Sequence, residues 1–385
     1  VENEGTWRVE GGSVELEEAS TQRDATVAVA EGARLQFNRP LTVEGTLTSA
    51  PAGRLALNAA LTAGPGATLA VAGTGFEWLS GYLEAGRLVN RELIRYTGAN
   101  ASRGARGETA VLRNTGSVNW EGSGILYVYD GARFENASAF AVSGTGSLRG
   151  FSGIGTFTTE PTATLTKTGD ALWELYGPLT VENEGTWRVE GGTVGLREET
   201  THRDARFEVS AGATLHFRQR VTIARALTAD PSGTILLDAP VSAEDEASLR
   251  IGGTGLEWIS GYLEAGTLVN DGLLRFTGAN ASRGARGATA VLRNQGTTTW
   301  EGSGILYVYD GARFENAAAF DVSGTGSLRG FSGIGTFTTE PTATLTKTGD
   351  ALWELYGPLM VENEGTWRVE GGSVELEEAS TQRDA

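Results

Sequence analysis

The sequence predicts an all-β protein, a parallel β-helix (β-solenoid) built from coils of 20–27 residues. Three observations lead to this prediction: a long internal repeat, apolar residues spaced two positions apart, and a high glycine content. Of the 385 residues, 55 are Gly, which is about twice the usual share. Glycine supplies positive φ angles at tight corners, and it destabilises a helix interior by about 1 kcal/mol. A helical fold is therefore excluded.

The repeat defines the organisation of the chain. Residues 1–25 recur unchanged at 361–385, and the string VENEGTWRVEGG also begins at Val181. We therefore expect two 180-residue units, 1–180 and 181–360, followed at 361–385 by the start of a third, all in one continuous solenoid.

The two units differ in a way that indicates strands. Leu35 and its counterpart Leu215 both stay apolar, whereas the residue that follows changes from Gln36 to His216. The same alternation continues through residues 26–75 and 206–255. Positions that stay apolar in both copies, separated by positions that vary, are typical of strands with one buried face.

A shorter period lies inside the repeat, in the frame apolar-x-Asn-x-x-x-apolar-x-apolar. Leu88, Asn90, Ile94 and Tyr96 are one example, and Thr159 replaces Asn in another. Stacked Asn side chains at a corner bond to one another and to the turn backbone. The predicted structural ladder comprises Asn3, Asn90, Asn114, Asn136, Thr159, Asn183, Asn270, Asn294, Asn316 and Asn363.

Three less regular examples of the frame have Arg23, Val43 and Ala63 at the position of Asn. From Asn3 onward the steps are 20, 20, 20, 27, 24, 22, 23 and 24 residues, which predicts eight coils per 180-residue unit. The competing architecture is a string of β-sandwich domains of about 90 residues. Sandwiches need hairpin patterns, whereas this chain shows one recurrence per coil, so the solenoid is favoured.

The motifs also resemble those of a known group of proteins. TVENEGTWRVEGG, VLRNTGSVNWEGSGILYVYDGARFENASAF, GSLRGFSGIGTF and LTKTGDALWELYGPLTVENEG resemble repeats of very large secreted bacterial proteins, and LTKTGDALWELYG is similar to the strand repeat of autotransporter passengers. The resemblance implies a parallel β-helix that acts as a surface adhesin or extracellular fibre. Autotransporter passengers normally have irregular coils, whereas this repeat is regular.

Composition excludes several chemistries. The chain has no Cys and two His, which rules out disulfides, Cys-ligated zinc and a thiol nucleophile. A net charge of −17 argues against nucleic acid and anionic membranes as partners. No apolar run is long enough for a membrane-spanning helix. We expect no cofactor and no bound metal.

Few residues are candidates for chemistry. His202 and His216 have Gln22 and Gln36 as counterparts, so we interpret both as exposed, variable strand residues. The run 244–246 (Glu-Asp-Glu) replaces Gly-Pro-Gly at 64–66 and is either a Ca²⁺ site or, as we favour, a solvated turn.

Two carboxylate pairs have the residue types of a glycoside hydrolase, Asp130 with Glu135 and Asp310 with Glu315. Both pairs recur with the whole repeat, so copying explains them without catalysis. The segment 99–107 (ANASRGARG) and its twin at 279–287 interrupt the strand pattern, and we interpret them as solvated loops or as loops that pair with a neighbouring fibre.

We therefore expect a structural protein and no enzyme: an extracellular fibre, filament or stalk. The alternative is a cell-surface adhesin that binds a glycan or surface through parts outside this segment. The expected partners are further copies of the repeat, end to end or laterally, and surface glycans. The expected location is extracellular or on a bacterial cell surface.

Overall fold

In the computed structural model, the described residues are 1–49, 52–64, 66–71, 73, 75–99, 101–244, 247–279, 281–377 and 380–382. They form strands, turns and bends, and no helix occurs among them. The chain divides into two compact units, Val1–Glu198 and Glu199–Ala385. In each unit the described strands pair in parallel with strands one coil further along the chain, which confirms the all-β solenoid.

Unit 1 has three columns of stacked strands, because three strands in succession complete one coil. The first column holds Glu2–Asn3, Leu61–Ala63, Ser102–Arg106, Ile125–Tyr129, Ser147–Arg149, Leu172–Tyr176 and Thr193–Leu196. The second holds Thr6–Val9, Thr68–Val71, Arg87–Asn90, Val111–Asn114, Arg133–Asn136, Gly155–Thr159 and Leu179–Asn183. The third holds Ser13–Leu16, Arg34–Phe37, Arg54–Asn58, Leu93–Tyr96, Ser117–Trp120, Ala139–Val142, Thr164–Lys167 and Thr186–Val189.

Three long strands of unit 1 belong to two columns each. Ser20–Val29 and Leu41–Ser49 run from the first column into the second. Phe76–Ala85 runs from the third column into the first, and its pairing register shifts after Trp78. These strands pass a corner without an intervening loop.

Unit 2 has the same arrangement. Its first column holds Thr200–His202, Val221–Ile223, Val241–Ala243, Ser282–Arg286, Ile305–Tyr309, Ser327–Arg329, Leu352–Tyr356 and Ser373–Leu376. Its second holds Ala205–Val209, Ala226–Ala229, Ser248–Ile251, Thr267–Asn270, Val291–Asn294, Arg313–Asn316, Gly335–Thr339, Leu359–Asn363 and Ser380–Gln382. Its third holds Thr214–Phe217, Thr234–Asp238, Leu273–Phe276, Thr297–Trp300, Ala319–Val322, Thr344–Lys347 and Thr366–Val369. Leu256–Ala265 runs from the third column into the first.

The core consists of the inward residues of all three columns. Leu35, Leu55 and Phe76 stack in the third column of unit 1 and are buried. Further along, the ring centroids of Trp120 and Trp173 lie 6.0 Å apart in an edge-to-face pair. Such burial contributes about 25 cal/mol per Å² of apolar surface, so each added coil extends the core by its own inward residues.

Within unit 1 the repeat advances by one column from its first copy to the start of its second. Within unit 1, Asn3 lies in the first column and its copy Asn183 in the second. The strand Thr6–Val9 lies in the second column, and its copy Thr186–Val189 lies in the third. From Asn3 to Asn183 the chain therefore contains the predicted eight full coils and one strand more.

The extra strand changes which residues stack. The spacing predicts Asn90 above Ala63, but the structure places Asn90 beside Val71, in the second column, while Ala63 lies in the first. It also predicts Arg23 at an inward position. Gln22 points inward instead, and the Arg23 side chain is exposed, because the register of Ser20–Val29 shifts between Arg23 and Ala25.

Candidate functional site

The first candidate is the predicted polar ladder, which closes the corner between the second and third columns of unit 1. Asn90, Asn114 and Asn136 are buried and pair in register. The Nδ2 of Asn90 donates to Oδ1 of Asn114 at 2.6 Å, and Nδ2 of Asn114 donates to Oδ1 of Asn136 at 2.8 Å. The same two Nδ2 groups donate to the carbonyls of Ser117 and Ala139, across the corner of the next coil. Each Asn therefore links two coils at one corner.

Beyond Asn136 the ladder changes character. Thr159 and Asn183 continue the same inward column. The indole Nε1 of Trp187 donates to Oγ1 of Thr159 at 3.0 Å. The Oδ1 of Asn183 accepts a hydrogen bond from the backbone N–H of Gly185 at 3.0 Å. Thr159 is therefore bound by a Trp of the next coil, whereas Asn183 caps the turn of its own corner.

Unit 2 repeats this arrangement. Asn270, Asn294 and Asn316 are buried, and successive side chains are joined by bonds of 2.8 Å. Thr339 again accepts a hydrogen bond from an indole, that of Trp367, at 2.9 Å. Asn363 follows in the same column and accepts a hydrogen bond from the N–H of Gly365 at 3.1 Å.

Asn3 does not lie with the others. It belongs to the first column of unit 1, where its Nδ2 donates to Oε1 of Gln22 at 2.7 Å. The structure therefore separates Asn3 from Asn90 and its partners, because the chain between Ala63 and Asn90 contains one strand more than a full coil.

His202 is not exposed, which corrects the sequence interpretation. It occupies the inward position of Thr200–His202 and is buried, as its counterpart Gln22 is. Its Nε2 lies 3.0 Å from Oγ1 of Thr200, and its ring packs edge-to-face against Phe207 at 4.9 Å. Burial lowers the pKa of His202 to about 3. His216 is half-buried, and its Nδ1 accepts a hydrogen bond from Arg218 at 3.2 Å.

The two carboxylates of each predicted pair contact different groups. Asp130 has a φ of 55° at a turn, whereas Glu135 accepts a hydrogen bond from Arg113 at 2.9 Å. In unit 2, Asp310 accepts a hydrogen bond from Ser332 at 2.9 Å, and Glu315 accepts one from Arg293 at 2.7 Å. Turn geometry and surface ion pairs account for these positions.

The acidic run at 244–246 is described only at Glu244, which is exposed; Asp245 and Glu246 lie outside the described residues. A second acidic group, which sequence reasoning missed, has carboxylate oxygens of Glu354, Glu375 and Glu377 within 4.8 Å of one another. In the copy of this site in unit 1, Glu174 instead pairs with Arg197 at 2.7 Å.

Most of the segment 99–107 is not a projecting loop; its residue 100 lies outside the described residues. Ser102–Arg106 is a strand of the first column, and Arg103 points into the core. Its guanidinium donates to the carbonyls of Trp78 and Gly98 at 2.9 Å and lies over the Tyr96 ring at 5.7 Å. Burial lowers the pKa of Arg103.

The twin Arg283 is bound in the same way, to the carbonyls of Ile259 and Gly278. Burial lowers its pKa to about 10. A third buried cation, Lys167, donates to the carbonyl of Gly169 at 2.8 Å. Arginine and lysine are seldom fully buried, so alternation alone did not signal these inward positions.

An aromatic patch covers the outer face of the first column in unit 1. We define it as Tyr127, Tyr129, Arg149, Phe151, Ile154 and Tyr176. The Phe151 ring packs edge-to-face against Tyr127 and Tyr129, with centroids 6.2 and 6.0 Å apart. The Arg149 guanidinium lies 5.9 Å from the Tyr127 centroid and 5.1 Å from that of Tyr176. Phe151 and Ile154 are 63% and 64% exposed.

Unit 2 carries the same aromatic patch at Tyr307, Tyr309, Arg329, Phe331, Ile334 and Tyr356. Arg329 lies 6.0 Å from the Tyr307 centroid and 4.9 Å from that of Tyr356. Phe331 and Ile334 are 64% and 61% exposed. The strings ILYVY and GFSGIG, present in both repeats, are its sequence signal.

Cavities of the described residues differ in lining: some have apolar or small side chains, whereas a surface groove of about 250 Å³ in unit 2 has charged residues, among them Arg250 and Asp271. An apolar void of about 20 Å³ in unit 2 is lined by Phe207, Leu227 and Leu237, among others. A surface groove of about 540 Å³ in unit 1 is lined mainly by small side chains, with Arg87 as the charged residue in its wall.

Comparison of the chain with protein-family models, with curated proteins and with solved structures finds no match. The described residues contain no helix that is long and apolar enough to cross a membrane.

Proposed function

We propose that this chain is a structural protein that forms an extracellular β-solenoid fibre, filament or stalk on a bacterial surface. The main observation behind the proposal is that each coil is joined to the next both by backbone pairing and by inward side chains. Asn114, for example, pairs in register with Asn90 on one side and Asn136 on the other. A column of this kind extends by adding coils, and the repeat supplies them.

Two further features support the proposal. The residue types with catalytic potential are engaged in structural contacts, as His202 is in the core and Glu135 is with Arg113. The motifs of the chain also resemble those of large secreted bacterial repeat proteins. This resemblance, and no matched relative, is the basis for the surface location.

Diffraction from aligned filaments of the repeat tests the structural role. We expect a meridional reflection near 4.8 Å, because stacked strands are separated by about that distance along the solenoid axis. A 4.8 Å reflection on the equator would mean that the strands run along the fibre, and it would contradict the proposal.

Protease treatment of intact source cells tests the location. A surface protein should lose its repeat-specific antibody signal while a cytoplasmic control is retained. Full protection of the repeat on intact cells, with digestion after lysis, would contradict a surface location without affecting the structural proposal.

A further inference from the structure

Three tyrosines from different coils meet on the outer face of unit 1. We define the tyrosine cluster of unit 1 as Tyr82, Tyr127 and Tyr129. The Tyr82 and Tyr129 rings pack edge-to-face with centroids 5.8 Å apart, and the Tyr82 and Tyr127 centroids lie 6.1 Å apart. These distances fall within the range of about 4.5–7 Å for packed aromatic pairs. Unit 2 has the same cluster, with centroid distances of 5.9 and 6.3 Å, at Tyr262, Tyr309 and Tyr307.

The rings of unit 1 meet although their strands are not neighbours. Tyr82 pairs in register with Gly104, and Gly104 pairs with Tyr127 on the following strand. Because Gly104 has no side chain, the rings on either side contact each other across it. The Arg106 guanidinium lies 5.3 Å from the Tyr82 centroid and donates a hydrogen bond to the Tyr129 hydroxyl. The cluster therefore spans three successive coils.

The coil in the middle of the cluster has a small apolar contribution to the core. The inward residues of its strand Ser102–Arg106 include Arg103 and Ala105. Apolar burial is the main favourable contribution to folding, so this coil gains less from it than its neighbours do. The chain has no Cys, so a disulfide does not reinforce the coil.

The composition makes these tyrosines the main targets for an oxidant in solution. Thiols and thioethers are the side chains that are usually oxidised, and the chain has no Cys and a single Met. Seven of its nine Trp are fully buried. By contrast, Tyr82 and Tyr127 are half-buried, and Tyr129 retains 8% exposure. The two tyrosine clusters hold six of the nine Tyr of the chain.

We propose that each tyrosine cluster is a site of oxidative cross-linking, where a one-electron oxidant that consumes hydrogen peroxide joins Tyr82 to Tyr129 and, in unit 2, Tyr262 to Tyr309. Each phenol loses one electron and one proton, and the two radicals couple through the ring carbons next to the hydroxyl-bearing carbons. One C–C bond replaces two C–H bonds, and both hydroxyl groups are regenerated when the rings become aromatic again. The two electrons and two protons reduce one hydrogen peroxide to two water molecules.

The product is a dityrosine that links the strand Phe76–Ala85 to the strand Ile125–Tyr129 over the intervening coil. A covalent link between residues distant in sequence stabilises the folded state, because it restricts the unfolded chain. This inference goes beyond the structural role proposed above. Its chemistry depends on the contacts within one unit, and its failure leaves the test of the shaft at about 4.8 Å unaffected.

Treatment of the full 385-residue chain, at high dilution, with hydrogen peroxide and a haem peroxidase tests the proposal. Denaturing electrophoresis isolates the monomer, and mass spectrometry identifies linked tryptic peptides by the loss of two hydrogen atoms. The peptides of the two clusters differ in sequence, so each link is assigned to its unit. They are 55–87 and 114–133 in unit 1, and 251–275 and 294–313 in unit 2.

Phenylalanine variants identify the two partners, because phenylalanine keeps the ring but does not form a phenoxyl radical. Far-UV circular dichroism verifies that each variant is folded. Two variants remove a proposed partner in both units: Tyr82→Phe with Tyr262→Phe, and Tyr129→Phe with Tyr309→Phe. Two controls keep both partners: Tyr127→Phe with Tyr307→Phe inside the clusters, and Tyr176→Phe with Tyr356→Phe outside them.

We expect linked peptides within each unit for the wild type and both controls, and none for the two partner variants. The treated wild type should also unfold at a higher temperature than the treated partner variants. Three results would overturn the proposal: a wild-type monomer without linked peptides, a link that survives in a partner variant, or links that join only peptides of different units. Loss of the link in the Tyr127→Phe control would contradict the assignment of Tyr129 as the partner.

Discussion

At the scale of single residues, Asn114 shows how one side chain joins several parts of a coil. Its Nδ2 donates to Asn136 and to the carbonyl of Ala139, and its Oδ1 accepts from Asn90. The repeated Asn made this position predictable from the sequence, because Asn recurs at the same place in the frame at Asn90, Asn114 and Asn136. The bond to the carbonyl was not predictable, since it depends on the path of the corner.

Replacing Asn114 by Leu should lower the free energy of unfolding by about 1–3 kcal/mol, because the carbonyl of Ala139 and the side chains of Asn90 and Asn136 lose a buried partner. Urea unfolding monitored by circular dichroism measures this. Asn119→Leu is the control, since Asn119 points outward on the neighbouring strand. Equal stability of the two variants would contradict a stabilising role for the Asn ladder.

His202 illustrates the limit of alternation at the residue scale. Asp24 and Asp204 adopt positive φ angles of 44° and 50°. The pairing register shifts at Asp24, so the inward position moves to Gln22 and, in unit 2, to His202. Because of this shift, the spacing of the apolar residues predicts the wrong strand face for Gln22 and His202.

The burial of His202 predicts a pH dependence. The folded-state pKa of about 3 lies below the ordinary value, which is about 6.5. Between these values the unfolded chain binds more protons than the folded one. The free energy of unfolding is therefore independent of His202 titration above pH 6.5 and falls as the pH drops from 6.5 towards 3, because protonation of His202 favours the unfolded chain.

His202→Gln, which introduces the residue of the first repeat, should remove this contribution. The measurement is the difference in unfolding free energy between wild type and variant, from urea unfolding at pH 7.5, 6 and 5. The difference should shift in favour of the variant as the pH falls. A difference that stays constant over this range would contradict a buried, neutral His202.

At the scale of elements, the strand Ser102–Arg106 escaped prediction because its inward residues are Arg103 and Ala105. A small side chain and a cation do not give the alternation of apolar residues from which strands are recognised. Most other strands were predictable because Leu, Val, Ile and aromatic residues fill their inward positions. The long strand Phe76–Ala85 hid a corner, since it passes from one column to the next without a loop.

Gly104 in this strand makes a specific prediction. Its φ is 140°, and a Cβ there would lie 1.8 Å from the carbonyl oxygen of Tyr127. Gly104→Ala should therefore destabilise unit 1 by at least about 2–3 kcal/mol. Gly11→Ala is the matched control, since an added Cβ meets nothing within 4 Å, and it should change stability by less than about 0.5 kcal/mol. Thermal unfolding of both variants measures the difference, and a small effect at Gly104 would contradict the register of this strand.

At the scale of the whole molecule, the repeat advances by one column from its first copy to its second in unit 1. The sequence shows how many residues recur, but it does not show how many strands they contain, because a strand that bends at a corner counts twice. In unit 1, Ser20–Val29, Leu41–Ser49 and Phe76–Ala85 are such strands. Eight coils were therefore predictable from frame spacing, and the additional strand was not.

The most direct test is disulfide formation between pairs of introduced cysteines, which the chain permits because it has no native Cys. The structure pairs Ala70 with Val89 on neighbouring strands, whereas the frame spacing would place Val89 above Thr62. Neighbouring parallel strands lie within the separation that a disulfide spans. Arg250→Cys with Val269→Cys repeats the test in unit 2.

The measurement is loss of free thiols, with the linked peptides identified by mass spectrometry after mild oxidation of the folded monomer. Ala70→Cys with Val89→Cys should form an intramolecular disulfide, whereas Thr62→Cys with Val89→Cys should not. A disulfide in the variant with cysteines at 62 and 89, together with free thiols in the variant with cysteines at 70 and 89, would contradict the column advance.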